Sequence, residues 1–462
     1  MITIVIRRVV PLIGLGVLML GFGWQQRLPP AESDLWFHLR LGQEFLDGWS
    51  VQHPGHLGQL DSAEWTPTQW LTQLVMAWGM DRGGPIGVVW ATSVVLVVLI
   101  VCTYVTCRGV AAPLPATLAV TVGIVAASPG LSPRPQMLSY VFIMATLAAW
   151  LGSARDGRPR YWLLAVAWVW PMCHGLWPVG LSIAVAVLTA LALQRRFPAK
   201  TLMPLGLVAI GSFAVSALTP TGVDAYRSLF VVGTRTEYFA EWGAPDFTSL
   251  PGAVLGLMFV VVVAAGFRQQ PVPWVEVAIV LLALIWSLYS LRTTVVGSLL
   301  LTPALASTIG RLAPSTGPVQ RPESLALFVM GLASAVVLAV HLHVHPAGPV
   351  VPRWVDARLD AMPPASRVLN DWNTGSYFVF RHPDLAWAMH GYGDVFTDAE
   401  IKRNSDLEQL NAGWETELRK LDVDIALLDP KSPLGYTLAH VQGWDVLQSD
   451  HRFALMVPPQ RA

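Results

Sequence analysis

The feature that most constrains this chain is a succession of apolar stretches of membrane-spanning length, separated by short polar breaks. They lie near Val9–Trp24, Pro85–Cys107, Ala112–Ser128, Gln136–Leu151, Tyr161–Met172, Val179–Leu193, Leu202–Leu218, Ala253–Gly266, Val275–Leu291, Val295–Ile309 and Leu325–Leu342. A helix crosses the hydrocarbon core with about 20 apolar residues, so the pattern predicts about eleven spans. Backbone in lipid must close its own hydrogen bonds, which makes each of these stretches a helix. Tyr161–Met172 and Ala253–Gly266 are short, and are expected to extend into their flanks or to tilt. Gln69–Met80 is apolar but short and broken by polar residues, and reads as an interfacial or re-entrant helix. Composition agrees: 53% of residues are hydrophobic and 13% charged, against about 25% charged in a soluble globular protein. The fold class expected is therefore mainly α, a polytopic membrane bundle.

Charge orients the bundle. With the N-terminus in the cytoplasm, the inside loops hold Arg7, Arg8, Arg108, Arg155, Arg158, Arg160, Arg195, Arg196, Lys200, Arg268, Arg311 and Arg321. The short outside loops are poorer in Lys and Arg, as the positive-inside rule requires. The first apolar run follows Arg7 and Arg8 without a small-residue cleavage site, so it reads as a retained span. An odd number of spans then places the C-terminal region outside. After His345 the chain becomes polar, with turn residues at regular intervals. Here RVLND, LAWAM, DIALLD and WDVLQ read as strands, while Asp398–Gln409 and Trp414–Leu421 read as helices. The division expected is a transmembrane domain over 1–345, with a first outer loop at 25–84, and a small extracytoplasmic α/β domain over 352–462.

The distinctive polar residues fall on the outer side of this topology. ESDLWFHLRLGQEFLDG (Glu32–Gly48) reads as an interfacial helix. Leu35, Leu39, Gly42 and Leu46 share one stripe, and Asp34 and His38 sit one turn apart on another. Trp36 and Phe37 suit a water–lipid boundary. A carboxylate and an imidazole side by side at the membrane surface are what a reaction on a lipid-borne substrate would need; the alternative is a surface helix whose polar edge is merely solvated.

Arg134 and Arg292 each stand at an outer boundary, where a guanidinium fork pairs with phosphate oxygens or snorkels to headgroups. Arg227 and Arg235 in the long loop from Thr219 to Leu250 are further candidates. His174 lies in a Trp-rich turn with Trp168, Trp170 and Trp177 nearby, either to bind a phosphate or sugar or to satisfy backbone at a helix break. Glu64, Trp65, Glu241 and Trp242 are candidate acceptor or sugar contacts, with Glu237 and Asp246 beside the last two. The 20 Trp residues fit interface belts and sugar stacking equally.

Other chemistries lack support. Formal net charge is zero with no Lys/Arg block, which argues against a nucleic-acid partner. Cys102, Cys107 and Cys173 lie in or at the ends of apolar segments, without disulfide or zinc spacing. His341, His343 and His345 end the last apolar stretch without a carboxylate or Cys, and read as a juxtamembrane linker. There is no Gly-rich phosphate loop, GxSxG elbow or zincin helix. No metal ligand set is proposed, and a divalent cation is the one cofactor left open.

Taken in order, these segments resemble a large group of bacterial membrane proteins. The segments are DLWFHLRLG (Asp34–Gly42), WTPTQWL (Trp65–Leu71), RPQ (Arg134–Gln136), HG (His174–Gly175), TPTG (Thr219–Gly222), Glu241–Asp246, Arg292 and DWNTGSYFVF (Asp371–Phe380). That group is similar to the GT-C superfamily, integral-membrane glycosyltransferases that use polyprenyl-phosphate sugars. The resemblance implies an inverting transfer in which Asp34 acts as base, with His38 beside it. It implies that arginines such as Arg134 and Arg292, with His174, hold the phosphate of the donor. It also implies a polyprenyl-phosphate-linked sugar, membrane lipid and a cell-envelope glycan, lipid or protein acceptor as partners, at the outer face of a bacterial plasma membrane. The chain departs from the pattern in three places. Glu32 and Asp34 are separated by Ser33, Trp36–Phe37 replaces a Trp pair, and HGYGDVF (His390–Phe396) replaces an acidic tail run. A non-catalytic scaffold for envelope polymers is the competing reading. A transporter or flippase is disfavoured, because its ionisable residues would lie at mid-membrane.

Overall fold

The computed structural model describes residues 2–25, 30–31, 33–58, 60–234, 239–266, 272–311, 321–345 and 348–459. Among these residues thirteen α-helices come first: α1 Ile2–Gln25, α2 Leu35–Leu46, α3 Trp70–Arg108, α4 Pro113–Ala127, α5 Gln136–Asp156, α6 Leu163–Cys173, α7 Pro178–Gln194, α8 Ala199–Ser216, α9 Asp224–Thr234, α10 Leu250–Gly266, α11 Trp274–Tyr289, α12 Thr294–Gly310 and α13 Arg321–Val344. A mixed segment follows: α14 Arg353–Leu359, β1 Arg367–Asn370, α15 Trp372–Arg381, β2 Ala386–Trp387, α16 Asp398–Gln409, α17 Trp414–Leu421, β3 Ile425–Leu428, α18 Pro433–His440, β4 Asp445–Ser449 and β5 Ala454–Val457. Among the described residues, six helices are long and apolar enough to cross a membrane: α3, α5, α8 and α13, and α4 and α12 together with their adjoining 3-10 turns as Pro113–Gly130 and Leu291–Gly310. Helices α1, α6, α7, α10 and α11 contribute shorter apolar stretches of 10–17 residues.

The chain divides into two compact units. The first comprises Met1–Arg27, Pro85–Leu229 and Phe239–Pro346. Its centre is α12, where 14 of 17 residues are buried. Small residues let neighbouring backbones close on it. A Cβ at Gly297 would stand 2.7 Å from the Ala283 carbonyl oxygen of α11, and one at Gly123 of α4 would stand 3.0 Å from Thr302 Cγ2. The buried hydroxyls of Ser298 and Thr302 donate to carbonyls one turn back, at 2.8 and 2.7 Å, so burial leaves neither unsatisfied.

Successive connections in this unit alternate between two ends. At one end, Arg108 binds Glu323 at 2.7 Å, Arg155 donates to the Gly109 carbonyl at 2.6 Å, Arg196 donates to the Arg155 carbonyl at 3.2 Å and Arg311 pairs with Glu276 at 2.8 Å. These are the basic loops. The other end gathers the α4–α5, α6–α7, α8–α10 and α11–α12 connections.

The second unit comprises Leu28–Gly84, Phe230–Tyr238 and Ala347–Ala462. Its sheet runs in the order β2-β1-β3-β5-β4, with β2, β1 and β3 parallel and β5 and β4 antiparallel. Arg367 pairs with Ala386, Leu369 with Ala426, and Leu427 with Leu455. Helix α2 packs on α15: Trp36 sets its ring edge-on to Tyr377 at 5.2 Å and lies 5.4 Å from Phe380. The helical run α3 changes character at Gly84, whose φ of 59° and ψ of −163° only glycine adopts readily. Pro85 follows it, and this is where one unit gives way to the other.

Several expectations are revised. The segment 28–84 groups with the C-terminal residues, whereas hydropathy placed it with the bundle; hydropathy reads local composition and is blind to partners hundreds of residues away. Trp36 and Phe37, read as boundary aromatics, are 2% and 3% exposed inside the second unit. α9 forms within what read as a loop, and β5 is a strand the reading did not name. The HLHVH segment is not a linker: α13 continues to Val344, and His341 stacks on Trp24 of α1 at 3.4 Å. His341 and His345, four residues apart, share a face at 4.7 Å.

Candidate functional site

In the first unit, four connections bring Arg134, His174, Glu241, Trp242 and Arg292 together. Arg134 immediately precedes α5, behind Pro135, and its backbone N–H donates to the Ser132 carbonyl at 2.7 Å. Arg292 sits on a single 3-10 turn, Leu291–Thr293, held by a capping box in which Ser290 and Thr293 satisfy each other's backbone. Glu241 lies on another short 3-10 turn, Ala240–Trp242. The two turns are tied by Leu291 N–H donating to the Gly243 carbonyl at 2.9 Å.

Glu241 is shared between two guanidinium groups. Arg134 Nη1 pairs with its Oε1, and Arg292 Nη1 lies 3.6 Å from its Oε2. Burial alone would raise the Glu241 carboxyl, but the charges of Arg292 and Arg134 outweigh it and hold the group below its ordinary value. Arg292 Nη2 also donates to Gln136 Oε1 at 3.3 Å, and its Cζ lies 5.8 Å from the Trp242 ring centroid.

His174 caps α6 in extended conformation, after Pro171 has interrupted the last helical turn. It is 4% exposed. Burial, and then the Arg292 charge, depress its imidazole well below the ordinary value, so it is neutral. Its Nδ1 accepts the Leu176 backbone N–H at 3.2 Å, which leaves the ring proton on Nε2. Nε2 lies 3.5 Å from Arg292 Nη2. Two donors thus lie side by side, an arrangement that an anion oxygen accepting from both would complete.

The other loop residues divide. Asp246 accepts from Thr248 N and Oγ1 at 2.8 and 2.6 Å, an Asx turn leading into α10. Arg227 is exposed on α9, and Trp168 donates to the Leu218 carbonyl at 3.1 Å. Arg235, Glu237 and Glu32 lie outside the described residues.

In the second unit, Asp34 is the N-cap residue of α2 but makes no side-chain capping bond. Ser33 takes that task, its Oγ accepting Leu35 N–H at 3.2 Å. The Asp34 carboxylate instead lies beside Gly391: a Cβ there would stand 3.4 Å from Asp34 Oδ1 and 2.9 Å from Ser376 Oγ. His38, 4% exposed, meets Gln73 of α3, with its Nδ1 3.1 Å from Gln73 Nε2. Gly42, one turn on, admits the α3 backbone closely: its Cβ would stand 2.6 Å from the Gln73 carbonyl carbon and 2.8 Å from Ala77 Cβ.

The HGYGDVF segment, which entered the sequence reading only as a departure, lines this place. Tyr392 lies tilted against Phe37 at 4.9 Å and receives the Trp65 ring edge-on at 5.3 Å. His390 is 1% exposed, with Nε2 3.7 Å from Asp61 Oδ2 and its ring 4.6 Å from Phe396. Asp61 accepts Leu57 N–H and Gly58 N–H at 3.0 and 2.8 Å. Glu64 is exposed, while Trp65 is half-buried and donates to the Gly55 carbonyl at 3.0 Å. Sequence reasoning missed Gln73, Ser376, Gly391 and Tyr392; the one signal was the unusual tail motif itself. Among the described residues, no group of three or more His, Cys, Asp or Glu side chains is placed to hold a metal ion.

No protein-family profile and no curated protein matches this chain. Solved structures do. The oligosaccharyltransferase of Archaeoglobus fulgidus in its apo form is similar at a TM-score of 0.56 and 12% identity, over 90% of this chain and 69% of that one. ArnT from Cupriavidus metallidurans, bound to undecaprenyl phosphate, is similar at a TM-score of 0.54 and 13% identity, over 98% of this chain and 99% of that one. This chain shares the fold of both structures.

Proposed function

We propose that this protein is an integral-membrane glycosyltransferase that takes a sugar from a polyprenyl-phosphate donor. The observation that carries the reading is the pair of guanidinium groups around Glu241, with a neutral imidazole donor beside them, in a bundle of GT-C-like fold. The Glu241 carboxylate stands in for the anionic oxygens of a phosphate. ArnT bound to undecaprenyl phosphate, a fold neighbour, supports a polyprenyl phosphate as the lipid.

In the reaction the acceptor hydroxyl attacks the anomeric carbon of the donor. Asp34 takes the hydroxyl proton and His38 positions it. The bond from the anomeric carbon to the phosphate oxygen breaks, and the electron pair leaves with the lipid phosphate. Arg134, Arg292 and the Nε2–H of His174 stabilise that charge as it develops, the largest single contribution available to such a transfer. Tyr392, Trp65 and Glu64 would meet the acceptor. The inside-positive distribution supports an extracytoplasmic site in a bacterial plasma membrane crossed about eleven times. A divalent cation remains an additive to vary in the assay.

The test is transfer of radiolabelled sugar from polyprenyl-phosphate donors in membranes, comparing wild type with Asp34→Asn. Transfer lost in a folded mutant supports the base assignment. Equal transfer in both removes Asp34 from the chemistry. No transfer across a broad set of donors and acceptors favours a scaffold.

A further inference from the structure

We infer that Glu241 tunes the anion site by charge, so that it accepts a singly charged phosphodiester and disfavours the doubly charged phosphomonoester. The inference rests on the polyprenyl-phosphate reading above and adds to it a basis for telling donor from spent lipid.

Among the described residues, the charged groups around the site are few. Arg134 stands before α5, Arg292 between α11 and α12, and Glu241 on the long connection; Tyr140 of α5 and His174 are near, the imidazole neutral. Two guanidinium charges and one carboxylate leave the cluster at a net charge of about one positive unit. A glycosyl phosphodiester carries one negative charge and would neutralise it. The lipid phosphate released by transfer is a monoester whose second pKa is about 6, so near neutral pH it carries close to two charges. Two arginines alone would hold such a dianion more tightly than the donor, and the enzyme would be trapped by its own product.

Glu241 opposes this. Its side chain is 44% exposed and on a short turn, so it can yield direct arginine contacts to a phosphate while staying within a few ångströms. From there it repels the ligand in proportion to ligand charge. Across about 5 Å at a half-exposed position, Coulomb repulsion supports roughly a tenfold effect per unit of ligand charge. A dianion therefore suffers the effect twice. The arginines hold Glu241 ionised in acid, so the selectivity follows the protonation of the ligand.

The experiment measures equilibrium binding of two probes to the purified full chain in detergent: undecaprenyl phosphate and its methyl phosphodiester, which carries one charge whatever sugar the donor bears. In Glu241→Gln, diester affinity is expected to rise about tenfold and monoester affinity by about the square of that factor, a roughly tenfold shift of selectivity at pH 7.5. At pH 5, where the monoester is mostly singly charged, the selectivities of the two proteins converge. Glu241→Asp, which keeps the charge, retains wild-type selectivity. Equal factors for both probes, or weaker binding of both, would overturn the inference, since Glu241 would then only scale or position the arginines. If wild type binds both probes and the ratio does not move, this inference alone fails. If wild type binds neither, the proposed function fails with it.

Discussion

Gly42 offers a test of how the helix carrying Asp34 and His38 is seated. An alanine there places a Cβ 2.6 Å from the Gln73 carbonyl carbon and 2.8 Å from Ala77 Cβ, where ordinary contacts begin at 3.4 Å. Backbone cannot rotate out of the way, so α2 and the start of α3 must part by about 1 Å, which forfeits a quarter to a half of each dispersion contact across that seam. Overpacking of this kind costs about 1–3 kcal/mol. The 3.1 Å His38–Gln73 hydrogen bond is lost as well, worth about 1 kcal/mol. Against this, replacing a helical glycine by alanine returns about 1 kcal/mol of propensity. The net loss is about 2 kcal/mol, a fall of roughly 4–8 °C in the melting midpoint of the second unit. Gly79, on the facing helix α3 with nothing within 4 Å, isolates the propensity effect. Gly79→Ala should hold or raise the midpoint. A Gly42→Ala protein as stable as wild type, or a Gly79→Ala protein that falls equally, would refute the seam.

Two further outcomes are expected. Because the folded imidazole of His174 is depressed well below 6.5, the unfolded chain binds the extra proton first; stability from this residue is intact above about pH 6.5 and declines as pH falls. His174→Gln should flatten that acid slope in a melting series, and an unchanged slope would remove His174 from the acid response. Gly391→Ala pushes on Ser376 Oγ and towards the Asp34 carboxylate while leaving the backbone unstrained, so transfer should fall about tenfold at nearly constant melting midpoint. Ser376→Ala in the same chain should restore it; a double variant as impaired as the single would show that the steric path is wrong.

Local features were legible where local physics decides them. Asp398–Gln409 is found as read because Thr397 and Glu400 form a capping box at its start. Trp414–Leu421 begins at Gly413, whose φ of 92° marks the break before it. The charge alternation between loops was enough to place Arg134, His174, Glu241 and Arg292 at one end of the bundle, because hydrophobic span counting fixes parity. Their mutual geometry was not legible, since it depends on helix tilts and on the Ser290–Thr293 cap. The grouping of 28–84 with the tail was missed for a related reason. Ser62 donates to Glu400 at 2.7 Å across 338 residues, and no windowed reading of the chain sees that far.

That pairing has a consequence for the order of events during synthesis. A ribosome adds about 5–20 residues per second, so some tens of seconds separate the emergence of α2 from that of α15 and the HGYGDVF segment. Throughout that interval the bundle helices are being inserted, while Trp36, Phe37 and His38 have none of their C-terminal partners. The unit holding Asp34 is therefore among the last parts of the protein to fold, and a nascent or prematurely terminated chain carries its Asp34 helix without the residues that bury it.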